Sequence, residues 1–228
     1  NLKPERQSGY EIGGDFYYGD NFFVEFTFFD QLFLDGIAND PSIDDLMTIK
    51  QEYWYINLGQ IINKGIEVAA KTRIFDIFDI SANYTYLDSR WGKDSIRQTD
   101  PIYEGFYDKG ERRTDVPSQT GNISISLNLP GTKYTSDKGG SMSFDISYIG
   151  KRKGRDWLLY YDGFYNPEVE FFSSYRSEIL MDYDSYYNAR LRLNYSLTNN
   201  VSLYLDIRNL NNHTDISRSI TEPALGRQ

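Results

Sequence analysis

The segment at residues 183–197, YDSYYNARLRLNYSL, alternates between apolar and polar residues almost without interruption. Successive side chains of a β-strand point to opposite faces, so this segment predicts a strand with one apolar, aromatic face and one polar face. A strand of a soluble protein can show the same pattern when its apolar face covers a core. The length of the pattern, and its return in strand after strand, are typical of a barrel wall with lipid outside and water inside.

The same alternation recurs along the chain and predicts eight strands. They cover residues 10–18, 21–34, 52–73, 76–88, 116–129, 141–150, 183–197 and 201–209. Gly59 and Gly65 fall within the long third strand and are expected to mark bends or bulges. The predicted fold class is therefore all-β, an antiparallel segment of a transmembrane β-barrel.

The predicted connections are sorted by length. Short turns at 19–20, 74–75 and 198–200 and a moderate connection at 130–140 alternate with long ones at 35–51, 89–115 and 151–182. Outer-membrane barrels have short turns toward the periplasm and long loops toward the outside. A soluble β-sandwich has no reason to sort its loops in this way, so the pattern favours the membrane barrel.

Composition agrees with a membrane barrel and excludes other classes of protein. Aromatic residues make up 16% of the chain, with 20 Tyr, a residue suited to the membrane interface. The net charge of −9 argues against binding to nucleic acid, and the absence of Cys rules out disulfides and thiolate metal sites. A mean hydropathy of −0.58 does not exclude a barrel, because about half of each strand faces water.

The predicted long loops combine arginine with aromatic side chains. Aromatic rings and guanidinium groups can stack on a ligand and pair with its anionic groups. The ligand-binding candidates are Trp91, Arg97, Tyr103, Tyr107, Arg112, Arg113, Trp157, Tyr160, Tyr161 and Tyr165. The alternative is that these residues pack the loops against one another, or that the loop bases extend the strands.

The sequence predicts no catalytic residue, no metal site and no cofactor. His213 is the only histidine, and no nucleophile motif lies near it. The acidic segment with Asp40, Asp44 and Asp45 misses the spacing, the Gly and the terminal Glu of an EF-hand.

Strand parity places both ends of the chain at the long-loop end of the predicted sheet. Complete bacterial barrels normally have both termini in the periplasm. We therefore expect the chain to be a fragment, with something before Asn1 and at least one strand after Gln228.

Short motifs in this order and spacing resemble the C-terminal part of the β-barrel of TonB-dependent outer-membrane receptors. The motifs are LKPE at 2–5, YEIG at 10–13, NLG at 57–59, NKGIE at 63–67, NYTYLD at 83–88, Arg113 with VP at 116–117, YLDIRNL at 204–210 and GR at 226–227. The final strand of the family and its plug domain are not found in these 228 residues.

The resemblance implies a 22-stranded barrel in the bacterial outer membrane, of which this chain supplies about eight strands. It also implies a receptor, not an enzyme, that imports a scarce ligand such as an iron–siderophore, cobalamin or a glycan. TonB would supply the energy through the plug segment, and a lipoprotein is a possible further partner. The alternatives are a small self-contained outer-membrane barrel, either adhesin or enzyme, and a soluble β-sandwich binding module.

Overall fold

A computed structural model of the chain describes residues 2–39, 55–57, 59–92, 109–131, 139–155 and 180–214. Regular structure in these ranges consists of strands. They are β1 Arg6–Tyr18, β2 Phe22–Leu34, β3 Ile37–Asn39, β4 Tyr55–Asn57, β5 Gln60–Ile74, β6 Phe78–Trp91, β7 Gln119–Leu129, β8 Gly140–Ile149, β9 Arg152–Arg155, β10 Leu180–Tyr183, β11 Tyr186–Thr198 and β12 Val201–Ile207. The described residues contain no helix that is long and apolar enough to cross a membrane.

Eight strands form one antiparallel sheet in the order β1-β2-β5-β6-β7-β8-β11-β12. Each strand pairs with the next main strand along the chain, so the connections alternate between the two ends of the sheet. The pairs β3–β4 and β9–β10 form two small separate sheets within long connections. This arrangement confirms the predicted all-β, antiparallel fold and its eight main strands.

Two predicted strands are divided in the structure. The predicted strand at 52–73 is wrong as a single element, because Gly59 with φ of 84° separates β4 from β5. The predicted strand at 183–197 is also wrong as one element, because its first residue belongs to β10, which pairs with β9 and not with the main sheet. The prediction of a bulge at Gly65 is also wrong, since Gly65 pairs in regular register with Phe29 of β2 and with Leu87 of β6.

The short turns lie where the sequence predicts them. Gly19 has φ of 58° in the turn between β1 and β2. Between β5 and β6, Phe75 and Asp76 have φ of 53° and 55°, and the amide of Ile77 donates to the carbonyl of Ile74 at 3.1 Å. Two left-handed central residues are the signature of a type I′ turn, whose twist matches that of paired strands.

One face of the main sheet is apolar across all eight strands. The register aligns, for example, Ile125 with Phe144 and Phe144 with Leu191. Many side chains on this face are about half exposed, among them Phe16, Phe26, Ile66, Ile123 and Leu203. The described residues provide no second layer over this face, and leaving so much apolar area in water would be costly. Such a face requires lipid or protein against it.

The opposite face carries linked polar side chains. Arg192 donates to both oxygens of Asp145 at 3.0 and 2.9 Å, and the hydroxyl of Ser124 donates to the same carboxylate at 2.7 Å. Arg190 makes a second two-point pair with Asp206 at 2.7 Å. These contacts run across neighbouring strands, so the polar face is cross-linked sideways in addition to its backbone ladder. We call these two sides the apolar face and the polar face.

Candidate functional site

Trp91 is the last residue of β6 and anchors the long-loop end of the polar face. Its amide donates to the carbonyl of Glu111 at 3.0 Å, and the amide of Gly110 donates to the carbonyl of Trp91 at 2.9 Å. The residue is only 5% exposed. Trp91 therefore fixes the returning segment 109–113 against the end of β6.

Arg113 lies over the Trp91 ring. Its guanidinium carbon is 5.5 Å from the ring centroid, a distance at which a cation is attracted to the face of an indole. The amide of Arg113 donates to the carbonyl of Ser89 at 3.0 Å, and the Ser89 hydroxyl donates to Asn63 at 2.6 Å. The Arg113 side chain is half-buried, and its backbone is hydrogen-bonded to β6.

Arg112 lies on the other side of the same segment. It pairs with Arg90 in an isolated bridge, and its Nη2 is 3.5 Å from Oδ1 of Asp88. Arg90 and Asp88 have even numbers in β6 and share the apolar face with Tyr86, whereas Trp91 and Ser89 lie on the polar face. The structure therefore separates two adjacent candidates that the sequence placed in one site.

A second cluster of arginine and aromatic rings lies at the same end of the sheet. The guanidinium carbon of Arg152 is 5.3 Å from the ring centroid of Tyr183 and 5.7 Å from that of Tyr186. The Tyr186 ring also stacks on His213, with centroids 4.4 Å apart and planes 12° from parallel. A backbone hydrogen bond of 2.7 Å from Asp115 to the Lys153 carbonyl joins this cluster to the segment that carries Arg113.

Arg152, Tyr183 and Tyr186 are not among the ten candidates named from the sequence. The alternating pattern predicts Tyr183 as the first residue of the membrane strand at 183–197. Its place in β10, outside the main sheet, follows from the pairing with β9 and not from any local signal.

The other predicted site residues lie outside the described parts of the chain. They are Arg97, Tyr103, Tyr107, Trp157, Tyr160, Tyr161 and Tyr165. Asp40, Asp44 and Asp45 also lie outside them. Within the described ranges, no group of three or more His, Asp or Glu side chains could hold a metal ion.

Comparisons with known proteins identify the type of sheet. The family described as TonB dependent receptor-like, beta-barrel matches residues 1–210. A search of the curated proteins found no match to the sequence.

Several solved structures share the fold. The siderophore receptor PirA from Acinetobacter baumannii superposes with a TM-score of 0.65 at 17% identity, over 100% of this chain and 31% of that one. The FrpB iron transporter from Neisseria meningitidis gives 0.65 at 15% identity, over 99% and 31% of the two chains. The ferripyoverdine receptor of the outer membrane of Pseudomonas aeruginosa gives 0.63 at 16% identity, over 99% and 26%. This chain therefore spans about a quarter to a third of the length of the structures that it resembles.

Proposed function

This chain belongs to the TonB dependent receptor-like β-barrel family, and from that membership we propose that it forms part of the wall of an outer-membrane transporter for a scarce ligand. The family consists of receptors and transporters, not enzymes. In our proposal, residues 1–228 are the C-terminal portion of a 22-stranded barrel in the outer membrane of a bacterium. The plug domain and final strand would belong to the complete protein.

The main support is the division of the sheet into two faces with all long connections at one end. The apolar side chains of one face suit contact with lipid. The hydrogen-bonded ladder between strands pairs backbone amides and carbonyls, which lipid cannot do. The polar face would line the barrel interior. The soluble β-sandwich accounts for this arrangement less well, since it would cover the apolar face with a second sheet.

We propose that the ligand binds at the long-loop end of the polar face. Arg113 is the described residue best placed to contact it, because its guanidinium can pair with anionic oxygens of a ligand above the ring. Trp91 is buried and would act as the support that fixes Arg113. Arg152 would contribute a second cation beside it, and Arg97, Tyr103, Tyr107, Trp157, Tyr160, Tyr161 and Tyr165 remain candidates in the loops.

An iron–siderophore is the ligand class that we propose, ahead of cobalamin or a glycan. The support is that the three structures compared above are named as siderophore receptors, as an iron transporter or as a receptor bound to ferripyoverdine. Siderophores present several oxygen donors around iron, and arginine with aromatic rings suits such a surface. Energy would come from TonB through the plug, and an accessory lipoprotein is a further possible partner.

Iron uptake in the producing bacterium tests this function. Cells lacking the gene for this chain, given radiolabelled iron as a ferric catecholate or a ferric hydroxamate, should lose uptake of one class. Loss of TonB should abolish the same uptake. Unchanged uptake in the deletion strain, or uptake that persists without TonB, would contradict the proposal.

Variants at the site then test its residues. Arg113→Ala should weaken binding of the transported complex about tenfold or more, since a hydrogen bond to a charged group contributes about 1.5–3 kcal/mol. The control is Arg73→Ala, which removes an arginine from the same polar face at the short-turn end. Equal affinities for the two variants would exclude Arg113 from the ligand site.

A further inference from the structure

A row of polar and charged side chains crosses the apolar face near its long-loop end. The row consists of successive register partners in β1, β2, β5 and β6, namely Tyr10, Asp30, Lys64 and Asp88. The next row toward the short turns contains Ile12, Phe28, Ile66 and Tyr86, which are all exposed. Charged side chains therefore begin within one step of the apolar surface and on the same face of the sheet.

Positive charge exceeds negative charge in this region. Arg90 and Arg112 share the carboxylate of Asp88, at 2.9 and 3.5 Å, while Lys64 pairs with Asp30 at 2.8 Å. Lys64, Arg90 and Lys109 line a cleft of about 340 Å³ beside Asp88.

We call this group the outward basic cleft, and define it as Lys64, Arg90, Lys109 and Arg112 with Asp30 and Asp88. Its four cations outnumber the three nearby carboxylates of Asp30, Asp88 and Glu111, although the whole chain carries a net charge of −9. The cations are also accessible, because the side chains of Lys64, Arg90 and Arg112 are 54%, 45% and 39% exposed.

The cleft lies at the height of a membrane surface. On β6 the apolar outward positions run from Phe78 to Tyr86, which is eight residue steps. At about 3.4 Å per residue and a strand tilt of about 40°, this distance corresponds to a band about 21 Å high. The lipid-facing band of outer-membrane barrels is about 25 Å high, so Asp88 and Arg90 fall at its edge.

We propose that the outward basic cleft binds the phosphate-bearing headgroup of a lipid in the leaflet at the long-loop end. The two guanidinium groups at Asp88 present N–H donors to phosphate oxygens, and Lys64 adds a point charge. The acyl chains of the same lipid would cover Ile66 and Tyr86 directly below. This inference rests on the proposed placement of the chain in a membrane.

The lipid site is distinct from the proposed ligand site. Trp91 and Arg113 lie on the polar face, whereas Arg90 and Arg112 lie on the apolar face. Trp91, at the end of β6, also borders the cleft. A ligand inside the barrel and a lipid outside it would thus use neighbouring residues without competing.

The test uses the complete protein in nanodiscs of phosphatidylcholine, with fluorescent phosphatidic acid as the probe. The double variant Arg90→Gln/Arg112→Gln should bind the probe about 25-fold more weakly, because each cation near a membrane surface contributes about fivefold. The control Lys71→Gln/Arg73→Gln removes the same charge from the polar face and should match the wild type. Arg112→Gln alone, outside the main sheet, should lose about fivefold and serves if the double variant does not fold.

Graded loss in the cleft variants, with no loss in the control, supports the site. Equal binding by the wild type and Arg112→Gln would overturn it, as would binding of inorganic phosphate as tight as that of phosphatidic acid. Failure of the folded protein to enter the nanodiscs would overturn the proposed function as well, whereas insertion without selective binding would overturn only the lipid site.

Discussion

An arginine placed at Leu193 tests the assignment of the apolar face to lipid. Outward positions of β11 extend from Tyr187 to Leu197, and Leu193 is one residue beyond their middle. At about 3.4 Å per residue and a tilt of about 40°, Leu193 is within about 3 Å of the centre of the band. Its cross-strand neighbours, Met142 and Leu205, are apolar and exposed, so no polar group lies directly beside it.

The expected cost follows from this depth. Arginine at the bilayer midplane costs about 2–4 kcal/mol on the lipid face of a barrel, which lowers the folding equilibrium about 30- to 900-fold. Leu197→Arg at the edge of the same strand should cost only about 0–1 kcal/mol. Asn194→Arg, next to Leu193 but on the polar face, should cost little because the new side chain stays in water.

The assay is urea unfolding of the complete protein in phosphatidylcholine vesicles, followed by the gel mobility of the folded form. The order of stability should be Asn194→Arg and Leu197→Arg near the wild type, with Leu193→Arg well below. Equal losses for Leu193→Arg and Asn194→Arg would refute the reasoning, because both faces would then meet the same solvent.

Two further predictions concern packing and charge in the sheet. Gly65→Ala should lower the free energy of unfolding by about 1–3 kcal/mol, since a methyl group would meet the Phe29 ring; Gly36→Ala, where the methyl group would make only ordinary contacts, is the matched control, and a larger loss there would contradict this. Arg190→Gln and Asp206→Asn should each destabilise the sheet, and the double variant should be less harmful than the sum, because either single change disrupts the same two-point pair. Urea unfolding measures both, and strictly additive losses for the second pair would show that the contact contributes nothing.

Local sequence pattern was sufficient to predict the main sheet. Alternation over many residues gives a strong strand signal, and short turns with Gly19 or a polar residue between two patterns set the pairing. The same reasoning failed where a strand changes partners. The break at Gly59 and the separation of β10 from β11 depend on contacts with residues distant in sequence, which a local pattern does not encode.

The candidate site was predictable only in part. Richness in arginine and aromatic residues located the long-loop end, but the division of Arg112 from Arg113 required the register with β6. The cluster of Arg152, Tyr183 and Tyr186 was missed for a similar reason. Its members come from strands separated by residues 156–179, and nothing in either local sequence indicates that they meet.

The fixed parity of paired strands links the wall to both proposed sites. Because residues in register keep to the same face, the isolated bridge between Arg90 and Arg112 carries the polarity of β6 into the segment at 109–113. A slip of one residue in that segment would exchange the faces of Arg112 and Arg113, while the register of β6 with β5 would keep Trp91 in place. The backbone hydrogen bonds of Trp91 with Glu111 and Gly110 oppose such a slip at the point where the strand ends. In our proposal, the register at the end of β6 thus determines which arginine would meet a ligand and which would meet the membrane.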